Sequence, residues 1–255
     1  MTYQSSAGAR LLAGRSELER RLALAREARP SNVRAPRLGL LVGELSHVAA
    51  PVLRVLKPWT PAISPTPRTV MLLPGFGAHP ARMRYMARML ESAGHRVKRW
   101  GQGFNLGVAP NTLDLIEARL LQIHERYGQP VHLVGWSLGG VFAREVAKRR
   151  PELVTKVVTL GSPFSGNPRA NNGWRAYHFV AGHRVDDPPI DCTPAEKPPV
   201  ETVAMWSAKD GIVHPRCACG RPGERDRSVA LRCTHMGFVH SREGIEAVLK
   251  ELDSG

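Results

Sequence analysis

The stretch that decides the fold is Val131-His132-Leu133-Val134-Gly135-Trp136-Ser137-Leu138-Gly139-Gly140-Val141-Phe142-Ala143. Its first half is a short apolar run, the pattern of a strand buried on both faces. From Leu138 to Arg149 the apolar positions return with helical spacing. Between the two sits Gly-x-Ser-x-Gly, with glycines where a sharp strand-to-helix turn leaves no room for side chains. Such a turn lifts Ser137 above the sheet edge and places the helix start, with its free N–H groups and positive dipole end, beside any oxygen that becomes negative there. A glycine-serine turn can also serve packing or cradle a phosphate. A strand before it and a helix after it favour Ser137 as a nucleophile.

Outward from this turn, apolar runs and amphipathic stretches alternate. TVMLLP from Thr69, HRVKRW from His95, VHLVGW from Val131, KVVTLGS from Lys156, TVAMWS from Thr202 and SVALRC from Ser228 read as strands. Arg82–Ala93, Leu113–Tyr127, Leu138–Arg149 and Arg242–Leu252 read as helices between and after them. The alternation predicts an α/β domain over residues 67–255 with a mostly parallel sheet flanked by helices. Residues 164–199 carry clusters of Pro, Asn and Asp around a short helix near Trp174–Val180. A loop of that length in this architecture is usually functional, and it falls where a cap or lid over an active site is inserted.

A serine hydroxyl needs a base to take its proton, and the base needs an acid to hold its tautomer. In a strand–elbow–helix arrangement these follow the serine as acid, then histidine, on later strand ends. Asp210, in Lys209-Asp210-Gly211-Ile212-Val213, follows TVAMWS, and His235, in Thr234-His235-Met236-Gly237, follows SVALRC. An Asp-Gly pair is often only a turn, with Asp186, Asp187, Asp191 and Asp226 as the competing acids. His214, His183 and His240 compete for the base. For the oxyanion, Leu138 supplies one backbone N–H, and the turn Leu73-Pro74-Gly75-Phe76-Gly77 supplies a second, from Phe76 or alternatively Gly77. Trp136, Trp174 and Met236 are candidate walls of an apolar acyl pocket.

The set of segments resembles the α/β-hydrolase superfamily, and within it the bacterial lipase/esterase-like serine hydrolases. The matching segments are Trp100-Gly101-Gln102-Gly103-Phe104-Asn105-Leu106-Gly107, Gly135 to Gly140, Leu160-Gly161-Ser162-Pro163-Phe164 and Ser207-Ala208-Lys209-Asp210-Gly211-Ile212-Val213. The likeness runs from about Thr69 to Leu252. It implies a Ser137–Asp210–His235 triad acting on a small-molecule or lipid acyl ester without metal or cofactor. One position departs from the pattern: Pro74-Gly75 stands where many relatives have His-Gly, a change that leaves the backbone donor in place. The same triad could pass its acyl group to an alcohol, which makes an acyltransferase the alternative to an esterase.

Residues 1–66 lie outside the resemblance and read as a helical extension with a Pro-rich linker at Pro58–Pro67. Leu11, Leu12, Leu18, Leu22 and Ala25 have the spacing of one apolar stripe among arginines. Leu38–Leu56 is long and apolar, but Glu44, Arg54 and Pro51 argue against a membrane span. Both helices are expected to pack on the domain or on a partner chain, with peripheral membrane contact through their basic surface as the other reading.

The net charge is +14, and residues 1–68 hold eleven Lys/Arg against four Asp/Glu. No nucleic-acid-reading motif accompanies the charge, and aromatics make up 6%, so no nucleic acid is expected. Four sparse cysteines favour a cytoplasmic setting. Cys217, Cys219, Cys233 and His235 could in principle hold zinc, but C-x-C is not the usual knuckle spacing. A contact of buried thiols between Cys233 and Cys217 or Cys219 is the expected alternative. The oligomeric state is not encoded in any of these features.

Overall fold

All six expected runs form strands, β1 (Thr69–Leu73), β2 (Arg96–Arg99), β3 (Val131–Trp136), β4 (Val154–Leu160), β5 (Glu201–Ser207) and β6 (Arg227–Leu231). They join in one sheet of order β2-β1-β3-β4-β5-β6, with every pairing parallel. The computed structural model describes residues 4–46 and 58–254, with side chains from residue 13 onward.

The helices are α1 (Gln4–Arg26), α2 (Gly39–Glu44), α3 (Arg84–Ser92), α4 (Thr112–Tyr127), α5 (Leu138–Arg149), α6 (Trp174–Ala181), α7 (Pro215–Cys219), α8 (Gly237–His240) and α9 (Arg242–Asp253). A 3-10 turn at Pro80–Met83 precedes α3, so the helix expected from Arg82 starts two residues later.

Alternation along the strands divides the core into two layers. Val70, Leu72, Val134, Val158 and Met205 meet α3 and α9 through Met86, Leu90, Ile245 and Leu252. Met71, Leu73, Leu133 and Val157 point the other way and meet α4 and α5 through Ile116, Leu120, Phe142 and Val146. Burial of both faces explains why the central strands read as continuous apolar runs. The edge strand β2 instead carries Arg96, Lys98 and Arg99, which keeps its open side from pairing with another chain.

Because the strands are parallel and in register, their C-terminal ends align. Leu73 pairs with Gly135, Gly135 with Thr159, Leu160 with Met205, and Ser207 with Leu231. The turns after β1, β3, β5 and β6 therefore emerge on one edge of the sheet.

Of the described side chains in the α1 stripe, Leu18 is 48% exposed, and Leu22 and Ala25 are half-buried. The helix meets α6 largely through polar groups. The Arg21 guanidinium donates to the Phe179 and Val180 carbonyls (3.1 and 2.7 Å), and the Leu24 carbonyl meets the His178 ring (3.1 Å). The last carbonyls of a helix lack intrahelical donors, and an arginine of α1 supplies them to α6. Leu11 and Leu12 belong to the side chains outside the described set. Of the long apolar stretch, Gly39–Glu44 forms a helix and residues 47–57 lie outside the described residues. Among the described residues no helix is long and apolar enough to cross a membrane.

Candidate active site

Ser137 joins β3 to α5 with φ 54° and ψ −123°, and among the described residues it is the only non-glycine with positive φ. A side chain held there is strained, and such strain is characteristic of a serine forced out of a tight turn. Its N–H donates to the Leu160 carbonyl (2.8 Å), which fixes the turn to β4. Gly139 shows why the flanking residue must lack a side chain: a Cβ there would lie 2.2 Å from the Leu73 carbonyl oxygen.

Asp210 follows β5 and is 1% exposed; His235 follows β6 and is 2% exposed. His235 Nδ1 donates to Asp210 Oδ2 (2.7 Å), while Asp210 Oδ1 accepts from the Ile212 and Val213 N–H groups (both 2.8 Å). With the proton on Nδ1, the neutral imidazole leaves Nε2 as an acceptor. Burial pulls the His235 imidazolium down, but the charge of Asp210, its hydrogen bond and the charge of Glu44 outweigh it. Protonation of His235 is therefore favoured above the ordinary histidine value. The Trp136 indole donates to the His235 carbonyl (3.1 Å), which ties the histidine loop to the end of β3.

Four of the competing acids and bases, Asp186, Asp226, His214 and His183, are engaged elsewhere. Asp186 pairs with Arg169, and Asp226 accepts from the Thr202 N–H and from Lys197. His214 accepts from the Arg216 N–H at the start of α7, and His183 meets the Val108 carbonyl.

Ser137 and His235 both line a cavity of about 300 Å³, with Phe76, Trp136, Leu138, Trp174, Tyr177 and Met236 among its walls. The three residues expected from sequence as pocket walls thus share one cavity. The turn after β1 lies against the nucleophile, since a Cβ on Gly75 would be 3.0 Å from the Ser137 Cβ. Of the two donors weighed for this turn, the Gly77 N–H is taken by the Asn105 carbonyl (2.7 Å). Phe76 thus carries the available N–H. Leu138 opens α5, where the first N–H groups have no intrahelical acceptor.

Asn105 is a buried residue beside this turn that sequence reading left without a role. It donates from Nδ2 to the Pro74 carbonyl (2.8 Å), accepts the Gly77 N–H, and donates its own N–H to Ala78 (3.0 Å). Its signal was present in the Trp100–Gly107 segment, but a bracing contact leaves no spacing of its own to read.

The segment 164–199 contributes Trp174, Ala176 and Tyr177 of α6 to the cavity wall. Arg169 ties it to the N-terminal segment through Glu27 (2.9 Å), and Arg184 pairs with the same carboxylate (2.7 Å). On the far side, the buried Arg144 donates to the carbonyls of Pro194 and Glu224 (2.7 and 2.8 Å).

The cysteine contact expected from sequence does not form. All four cysteines are free; Cys217 packs with Ala170 and Val213, and Cys233 with the sheet core. Among the described residues no group of His, Cys, Asp or Glu is arranged to hold a metal ion.

A family profile described as the alpha/beta hydrolase fold matches residues 68–185. The chain has the α/β-hydrolase fold. Solved structures agree at low identity. A monoacylglycerol lipase of Paleococcus ferrophilus is 19% identical with TM-score 0.54, covering 74% of this chain and 96% of that one. The carboxylesterase CesB of Bacillus subtilis is 16% identical with TM-score 0.51, covering 85% of this chain and 99% of that one. A 2-hydroxy-6-oxo-6-phenylhexa-2,4-dienoate hydrolase of Rhodococcus strain RHA1 is 16% identical with TM-score 0.51, covering 74% and 91%. Among curated proteins none matches the sequence significantly. At these identities the likeness is one of fold, and different reactions appear among the names.

Proposed function

We propose that this α/β-hydrolase-fold protein is a serine hydrolase that cleaves carboxylic esters through an acyl-enzyme on Ser137. The observation that carries the reading is the buried Asp210–His235 hydrogen bond opening onto the same apolar cavity as a strained, elbow-held serine. His235 Nε2 takes the Ser137 proton as the hydroxyl oxygen attacks the acyl carbonyl. Asp210 holds the imidazole in the right tautomer and stabilises the imidazolium. The backbone N–H groups of Leu138 and Phe76 hold the oxyanion, each such donor typically lowering the barrier by about 2.7–4 kcal/mol. The imidazolium then protonates the leaving alcohol, and a water deprotonated by His235 releases the acid.

The apolar cavity walls suit the acyl chain of a small-molecule or lipid ester better than a charged group. Esterase and lipase names among the structural neighbours are consistent with that substrate class. The test is turnover of p-nitrophenyl esters of increasing chain length. Ser137→Ala is expected to abolish it while the thermal melt stays cooperative, and retained turnover would overturn the reading. Product analysis with an alcohol acceptor present separates hydrolysis from acyl transfer. Free acid is expected, whereas dominant transfer to the alcohol would replace the hydrolase with an acyltransferase on the same triad.

A further inference from the structure

Helix α2 is built the wrong way round for an element held by apolar packing. Leu38, Val42 and Leu45 of this segment are exposed among the described residues, while its single acid, Glu44, is 7% exposed. Burying a carboxylate is costly unless strong hydrogen bonds replace its water. Here they come from two catalytic loops. Glu44 Oε1 accepts the N–H of Gly211 (2.9 Å) and of His235 (2.8 Å), and Oε2 accepts the N–H of Met236 (2.8 Å). Gly211 directly follows Asp210, so one carboxylate clasps the backbone next to the acid and the backbone of the base itself. The approach is close: a Cβ on Gly211 would lie 2.7 Å from the Leu40 carbonyl, so only glycine admits α2 at this distance.

We propose that Glu44 is a positioning residue of the triad, fixing the acid loop against the histidine loop and adding a second negative charge beside the imidazolium. The proposal rests on the reading of Asp210 and His235 as catalytic acid and base. Glu44 stands outside the residues matched by the family profile, in a segment that contributes no strand to the sheet among the described residues. The distance between Asp210 Oδ2 and His235 Nδ1 depends on two independent loops, one after β5 and one after β6. A rigid bridge between their backbones removes the freedom that would let the pair drift apart.

The charged groups that bear on His235 are Asp210, on the loop after β5, and Glu44, on α2. The Cys233 thiol on its own loop is pushed up to about 12, first by burial and then by Glu243, and stays neutral. The other groups against the ring are the Trp136 indole and Phe238 of α8. Both carboxylates favour the imidazolium, so removing one charge should make His235 easier to deprotonate.

The experiment compares Glu44→Gln and Glu44→Asp in the full chain on p-nitrophenyl butyrate, with kcat expressed per active site titrated by a fluorophosphonate. Glutamine keeps the shape but turns its amide N–H donors toward backbone donors. It should lower kcat per titrated site by about 10- to 100-fold, the usual cost of losing an outer orienting partner. KM should stay within about twofold, and the acid limb of kcat/KM should move to lower pH. Aspartate keeps the charge with a shorter reach, so it should leave the acid limb in place and recover part of kcat.

A glutamine variant with unchanged kcat per site and an unmoved limb would overturn the proposal. Equal losses in both variants with no limb shift would mean a merely structural role and would also overturn it. Should the glutamine variant yield no titratable sites, the aspartate variant decides. A lowered kcat with the limb in place supports the proposal, and an unchanged kcat overturns it. Ser137→Ala run alongside separates the two levels: loss of its turnover upholds the triad whatever Glu44 does, and retained turnover defeats the triad itself.

Discussion

Two regions converge on the cavity by different physical routes. The loops after β3, β5 and β6 carry Ser137, Asp210 and His235, and are placed by parallel strands whose ends align. Among the described residues the N-terminal segment has no strand in the sheet, yet it reaches the same place through Glu44 against the Gly211 and His235 loops and through Arg21 and Glu27 on segment 164–199. The sheet decides where chemistry can occur. Contacts from outside the sheet decide how tightly the parts are held, and they do so through buried charge and backbone hydrogen bonds rather than apolar area.

Perturbing the two regions should therefore give effects of different size and kind. The largest should come from the sheet-borne residues. Asp210→Asn or His235→Ala is expected to lower kcat by about 10⁴-fold or more, since either change removes a proton acceptor held in the right tautomer. Steady-state ester hydrolysis on cooperatively folded protein checks this, and a loss below about tenfold would remove that residue from the triad. Glu44→Gln should fall between these and the remaining changes.

Asn105→Ala should come next. It releases the Pro74 carbonyl from beneath the turn that bears the Phe76 N–H. Roughly tenfold in kcat is expected, equivalent to about 1.4 kcal/mol, with little change in KM. A change confined to KM would mean that the turn binds substrate rather than the oxyanion.

The smallest effect should come from Glu27→Ala, which removes the carboxylate shared by Arg169 and Arg184, leaves Arg169 on Asp186, and loosens segment 164–199 without touching the triad. About a two- to fivefold rise in KM at nearly constant kcat is expected, measured on the longest ester that the enzyme turns over. A fall in kcat instead would join the cap to the chemistry.

The pH profile gives a further contrast. His235 must be neutral to accept the serine proton, and its protonated form is stabilised in the fold. The rate should thus fall on acidification with an apparent pKa above the ordinary histidine value of about 6.5. Below that limb the imidazolium cannot act as a base; above it the rate should level off. A limb at or below the ordinary value would mean that burial outweighs the two carboxylates.

The same division explains what was legible in the sequence. The central strands were readable because burial on both faces imposes unbroken apolar runs. The elbow was readable because its turn excludes side chains and so forces glycine at fixed spacing. Asp210 and His235 followed as strand-end residues, and the cap helix as a short periodic stretch within a long loop.

Glu44 was visible only as a charge that argued against a membrane span. Nothing within ten residues of it announces partners at Gly211, His235 and Met236, because a bridge across such separations leaves no local period. The docking of α1 shows the same limit. Helical spacing names a face, but the neighbouring element chooses what docks, and α6 offers its open carbonyls to Arg21. Likewise the Gly77 N–H is occupied by the Asn105 carbonyl, a contact from a separate loop that the turn's own sequence does not announce.

The most direct test of the central claim is labelling of the full chain with a fluorophosphonate, read by peptide mass spectrometry. The account predicts stoichiometric modification of Ser137 that disappears in Ser137→Ala and slows sharply in Asp210→Asn. Folded protein that stays unlabelled, or that is labelled on another residue with Ser137 untouched, would contradict it.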